Sequence, residues 1–252
     1  SKVPDLIDKC MRTGMRAMAL TDHGNMFGIK EFLDYSAKVN GAPKKKLNEC
    51  KENIKKAQEL IAQIPKLEAD LKTVTDSFDA DKLKQMLADA HKVETELPKW
   101  ETELPILEQK LADFVPFKPI VGVEAYCARR SRLSKDASQK EISANGKEQI
   151  TDYSGWHLIL LAKNKTGYHN LCKMVSLAFI EGKYGRPRID KELLTQYHEG
   201  IIVSSACLGG ELPQLIMKGK IDEAEASIRW FKSVFGDDYY IELQRHKTDK
   251  PG

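Results

Sequence analysis

Thr21-Asp22-His23-Gly24-Asn25 separates two kinds of sequence. Before it, Met15-Arg16-Ala17-Met18-Ala19-Leu20 is a short, largely apolar run with the length of a buried strand. After it, Phe27, Ile29, Phe32, Leu33, Tyr35 and Ala37 recur at helical spacing as far as Val39. The acid, the imidazole and the glycine therefore lie on a turn that leaves a strand. In parallel α/β folds the carboxyl ends of the strands converge on one face, where chemistry is usually placed. A carboxylate beside an imidazole there suits a divalent cation, because both bind deprotonated near neutral pH. Taken alone, the five residues read more simply as a helix cap at Asp22 and a satisfied polar His23.

Working outward, Val3 to Arg12 carries Val3, Leu6, Ile7, Cys10 and Met11 at helical spacing, with Pro4 in its first turn and Gly14 closing it. Past residue 41 the texture changes. Glycine disappears, and Leu47, Cys50, Ile54, Ala57, Leu60, Ile61 and Ile64 form one amphipathic stripe; Leu83, Leu87, Ala90, Val93 and Leu97 form a second. A reversal at Thr75-Asp76-Ser77-Phe78-Asp79 makes 42–116 an inserted antiparallel helical hairpin between a first part at 1–41 and a second at 117–252, with kinks or breaks expected at Pro65, Pro98 and Pro105.

Strand-and-helix texture resumes at Phe117 to Tyr126, a strand carrying Glu124 near its end. Residues 129–149 have no apolar period and read as a mobile basic loop in which Arg129, Arg130 and Arg132 could lie along a DNA backbone. Trp156 to Ala162 reads as a buried strand opened by His157, and Thr166 to Ile180 as a helix capped by Thr166. Gly200 to Cys207 reads as a strand ending in a thiol, 209–219 and 222–235 as helices, and Asp238 to Gln244 as a last strand leading to Arg245-His246. Five strands alternating with helices predict a parallel sheet with right-handed crossovers, in a closed or nearly closed β/α barrel. Glu242 and His246 read as structural, Glu242 pairing with a nearby Arg or Lys.

Composition bounds the function classes. In 252 residues, 40 Lys and Arg against 37 Asp and Glu leave a net charge of +3, too mild to argue for nucleic acid by itself. Five scattered cysteines with no CxxC pair point to reduced thiols in a cytoplasmic protein, and no apolar run has the length of a membrane span.

Several long motifs occur in order: Thr21 to Asn25 with Phe27-Gly28, Lys118 to Tyr126, His157 to Asn164 with Gly167 to Leu171, Arg186 to Asp190, and Ser205 to Glu211. Together they resemble the polymerase-and-histidinol-phosphatase (PHP) domain of bacterial replicative DNA polymerase III alpha subunits, across nearly everything outside 42–113. The resemblance implies a distorted (β/α)7 barrel, incomplete here, with up to three divalent metals (Zn, Mn or Mg) at its carboxyl end. Matched residue by residue, His23, Glu124, His157 and Cys207 take ligand positions, and Asp22 orients the site.

The family's His-x-His pair on the first strand, the acid after it and the Asp-x-His on the last strand have no match, so the chain is expected to be an excised piece that holds metal weakly or not at all. For the parent the resemblance implies DNA-directed DNA synthesis in chromosomal replication, with primer-template DNA, a sliding clamp and an exonuclease subunit as partners. The complete domain would be a metal-dependent 3′–5′ proofreading exonuclease. Two alternatives are a scaffold that docks a separate exonuclease and a small-molecule phosphoesterase of the same fold; the motifs at 164–171 and 186–190 argue against the latter.

Overall fold

The computed structural model describes residues 2–142 and 146–244; Arg245 and His246 lie outside them. The chain divides into two compact units, one of residues 1–34 and 118–252 and the other of residues 35–117.

The first unit opens with α1 (Val3–Arg12) and β1 (Ala17–His23), and α2 (Ile29–Ile61) starts in it. It resumes with β2 (Lys118–Ala128), the short strands β3 (Lys140–Ile142) and β4 (Glu148–Ile150), β5 (Gly155–Ala162), α5 (Lys165–Ile180) and β6 (Arg188–Ile189). After these come α6 (Lys191–Gln196), β7 (Ile201–Ser204), α7 (Glu211–Met217), α8 (Ile221–Phe235) and β8 (Tyr239–Tyr240).

The main sheet runs β1-β2-β5-β7-β8, with β6 also on β2. β1 pairs with residues 118–124 of β2, and β6 continues along the same edge at Tyr126 and Cys127. The sheet is mixed where a parallel one is expected: β5 runs antiparallel to both β2 and β7, while β1, β6 and β8 are parallel to their neighbours. The reversal has a cause in the connection. Among the described residues of 129–154 there is no crossover helix, which a parallel return from β2 would need. Among the described residues no pairing joins β1 to β8, so the sheet is α/β in class without the expected barrel closure. The last strand is confined to Tyr239–Tyr240, shorter than the expected 238–244.

Alternation decides which side chains face the core. Val123, Ala125 and Cys127 of β2, Leu158 and Leu160 of β5, and Ile201 and Val203 of β7 are buried together. Leu171, Met174 and Ala178 of α5 reach this layer at helical spacing, with Phe231 and Phe235 of α8. The intervening residues Glu124, His157 and Ser204 consequently face the other side of the sheet. Asn164, two residues before the expected Thr166, caps α5 by accepting from Gly167 N at 3.0 Å.

The 129–154 connection is ordered by arginines. Arg188 is fully buried, and its guanidinium donates to the carbonyls of Gly182, Asp152, Arg132 and Ser134. The expected basic loop thus contains the β3–β4 hairpin and is tied to β6 from within.

In the second unit α2 continues through Gly41 and Pro43 to Ile61, joined by α3 (Ile64–Thr73) and α4 (Ser77–Ala112). The expected two-helix hairpin is therefore made of three helical segments. The break falls at Ala62-Gln63, ahead of Pro65, whereas Pro98 and Pro105 stay inside α4. Leu47 and Cys50 pack against Leu107, with Ile54, Trp100 and Leu104 around them, and Lys51 pairs with Glu108. Asn40 closes the unit: its Nδ2 donates to Phe117 O and its Oδ1 accepts from Phe117 N, both at 2.9 Å.

Candidate metal centre

Four side chains that are scattered in sequence meet at one end of the sheet. His23 ends β1, directly opposite Glu124 on β2. Glu124 is in turn opposite Ile159 of β5, so His157, two residues earlier on the same face, is its diagonal neighbour. Ile159 faces Ser204, the last residue of β7, and the turn beyond carries Cys207. His157 opens its strand, which by the carboxyl-end rule puts it at the wrong end. The antiparallel direction of β5 removes the conflict.

The contacts are close. His157 Nδ1 lies 2.6 Å from Glu124 Oε1, and His23 Nδ1 lies 3.5 Å from Glu124 Oε2. Cys207 Sγ lies 3.5 Å from His157 Nδ1 and 4.0 Å from Glu124 Oε1. One donor atom each from His23, Glu124 and His157 falls within a mutual 4.8 Å. Ligation by nitrogen and oxygen at about 2.0–2.1 Å sets tetrahedral donors about 3.3 Å apart. The His23–Glu124 and Cys207–His157 separations match that spacing. The His157–Glu124 pair is a direct hydrogen bond, so ligation there exchanges a proton for the ion. Imidazole, carboxylate and thiolate are together a donor set for zinc or a similar divalent ion, and the residues fit the group.

Local backbone supports the arrangement. Ala206 is the one non-glycine with positive φ among the described residues, at 62°, and its turn swings Cys207 back toward His157. Such a conformation costs about 1–2 kcal/mol outside glycine. A Cβ at Gly209 would come within 3.1 Å of the His157 ring, and Gly209 N donates to Cys207 Sγ at 3.4 Å. Tyr126 meets the His157 ring edge-on, with centroids 5.2 Å apart. Sequence reasoning missed Tyr126, Ala206 and Gly209; the Gly209-Gly210 pair after the thiol was the available signal.

Asp22 accepts from Gly28 N at 2.9 Å, so its carboxylate holds the turn into α2. This is the simpler of its two expected roles. The three arginines expected along a DNA backbone all make ion pairs within the chain. Arg132 is buried against Asp190, Glu181 and Glu192, and Arg130 pairs with Asp152. Arg129, paired with Glu141 and stacked on Trp156, lines a cleft. Glu242 accepts from Ser204 Oγ at 3.0 Å and from Gln244 Nε2 at 2.6 Å, where an Arg or Lys partner was expected.

The family model described as PHP domain matches residues 1–55 and 48–246. The chain belongs to the PHP domain family. Curated relatives include the DNA polymerase III subunit alpha of Borreliella burgdorferi, 48% identical over 129 residues, 51% of this chain and 10% of that protein. Those of Deinococcus radiodurans (44% over 129 residues, 51% and 9%) and Thermus aquaticus (43% over 137 residues, 54% and 10%) are similar. This PHP chain spans about a tenth of the length of these relatives. No helix among its described residues is long and apolar enough to cross a membrane.

Proposed function

We propose that this chain is the PHP portion of a bacterial DNA polymerase III alpha subunit, a cytoplasmic replicase working on primer-template DNA with a sliding clamp and an exonuclease subunit. His23, Glu124, His157 and Cys207 form a divalent-metal site there, serving 3′–5′ exonuclease proofreading. The observation that carries this reading is the convergence of His23, Glu124 and His157, with one donor atom each inside a mutual 4.8 Å, and of Cys207 Sγ at 3.5 Å from His157 Nδ1 and 4.0 Å from Glu124 Oε1. When bound, a divalent ion supplies Lewis-acid polarisation of a phosphodiester oxygen and acidifies a water. The chain's own residues set that ion's place. Glu124 bridges the two imidazoles, Gly209 leaves room for the His157 ring, and the Ala206 turn fixes the thiol.

One observation favours a second reading, a non-catalytic scaffold. Glu124 and His157 already satisfy each other at 2.6 Å. The test compares Mn(II) binding and exonuclease rate between the full polymerase and its His23→Ala variant. The expected result is a loss of affinity of at least about 100-fold, with exonuclease abolished and nucleotide addition retained. Equal metal content and equal exonuclease rate would assign the four residues to packing and the domain to docking.

A further inference from the structure

A cavity of about 400 Å³ adjoins the donor cluster, with Arg129, Gln149, Trp156, His157 and Gln214 among its walls. The Arg129 guanidinium lies over the Trp156 ring, 4.1 Å from its centroid, and the Lys218 ammonium lies 5.7 Å from the same centroid. Both cations share one carboxylate. Glu141 on β3 pairs with Arg129 through Oε1 and with Lys218 through Oε2, the latter at 3.3 Å. Gln149 Nε2 donates to the same carboxylate at 3.0 Å. Two positive charges thus face one negative charge, a surplus beside a cavity large enough for a small anion.

Two further observations point to a ligand. Arg129 Nε is buried without an acceptor among the described residues, and an unmet donor of this kind is costly. Burial pulls the Arg129 guanidinium down to about 10, and burial together with the Arg129 charge pulls the Lys218 ammonium below its usual value. A second anion would relieve both. A guanidinium also presents paired donors that match phosphate oxygens.

We propose that Arg129 and Lys218, backed by Trp156, form a nucleotide-phosphate subsite next to the His157 side of the cluster, and that Glu141 is its internal counterion, displaced when phosphate enters. The identity of the ligand rests on reading the cluster as a nuclease site; the anion preference does not. Of the three arginines in the 129–132 run, Arg129 is the one placed in the cavity wall, while Arg130 pairs with Asp152 and Arg132 with Asp190.

The test follows the Trp156 indole N–H by NMR in the ¹⁵N-labelled chain, assigned with W156F, during titration with inorganic phosphate, dTMP and the single strand (dT)4. We expect saturable shifts, weakened about tenfold by R129Q and by K218M and strengthened by E141Q, the scale of one charge-assisted hydrogen bond. Tighter binding of (dT)4 than of phosphate assigns the subsite to a strand. Equal binding of all three assigns it to released phosphate groups. Phosphate affinity unchanged in R129Q overturns the subsite, and affinity unchanged in E141Q overturns the counterion role. Should R129Q fail to fold, K218M carries the same comparison. Mn(II) binding by the full polymerase and its His23→Ala variant reports separately on the cluster, so failure there is distinguishable from failure here.

Discussion

Residues 35–117 and the sheet unit reach order by different routes. In the helical unit a stripe such as Leu47, Cys50 and Ile54 is written at three- or four-residue spacing and needs one partner stripe, here Trp100, Leu104 and Leu107. In the sheet unit nothing near His23 in sequence says that Glu124, His157 and Cys207 will be its neighbours; strand register brings them together. The first kind of order can lose a segment and keep its neighbours. The second depends on a few buried polar groups that hold distant stretches in place, and Arg188 is the clearest of them.

The largest effect should therefore come from Arg188→Met. The guanidinium satisfies four buried carbonyls contributed by residues 132, 134, 152 and 182, and the methionine fills its volume while leaving them unpartnered. Leaving a buried acceptor without its donor costs about 1–3 kcal/mol, and four are stranded together here. Denaturant unfolding should show the near-UV signal of the sheet unit lost early, while much of the far-UV helical signal persists. A single unchanged transition would mean that the network is not what holds the 129–154 connection.

A smaller effect is expected from acid. The Arg130 guanidinium, and then the backbone N–H of Asp136, hold the Asp152 carboxyl below the usual carboxylate value. Because the folded value is depressed, the stability this group contributes is fully present above its unfolded value of about 3.9 and is lost as pH falls through the folded one. Asp152→Asn should cost about 1–2 kcal/mol at neutral pH and flatten the acid limb of the stability curve. An acid limb as steep as in the wild type would assign the sensitivity to other carboxylates.

The same contrast explains what was legible in the sequence. The helices α1, α5 and α8 and the strand runs at β1, β2 and β5 carry their own period, and the reading found them. Strand direction carries no period. The reversal of β5 was therefore missed, although His157 at the head of its strand was the visible symptom. The arginine-rich run 129–132 looked solvated because its carboxylate partners are remote: Asp152, Glu181 and Asp190. Pro98 and Pro105 misled in the other direction, since both lie on the exposed side of α4, where water can meet the carbonyl that loses its helical hydrogen bond. Which chemistry-bearing side chains occupy strand ends was readable; that Glu124 hydrogen-bonds His157, and that Asp22 turns to Gly28, required the folded geometry.

The smallest effect should follow from the largest change. Deleting residues 43–115 and rejoining the ends with a short Gly/Ser link removes most of the helical unit but keeps Asn40 and Phe117, whose two 2.9 Å hydrogen bonds hold the points of departure and return side by side. β1 and β2 pair along seven residues without any help from 43–115. The free energy of a surface connection varies only with the logarithm of its length, so the sheet unit should change in stability by no more than about 1 kcal/mol. Near-UV circular dichroism should keep its native form while helical ellipticity falls with the deleted residues. Asn40→Ala in the shortened chain should then weaken it further, because the clasp closes the new link. If the near-UV spectrum collapses on deletion, the helical unit is part of the sheet unit's folding core, and the two regions do not differ in the way their sequence periods imply.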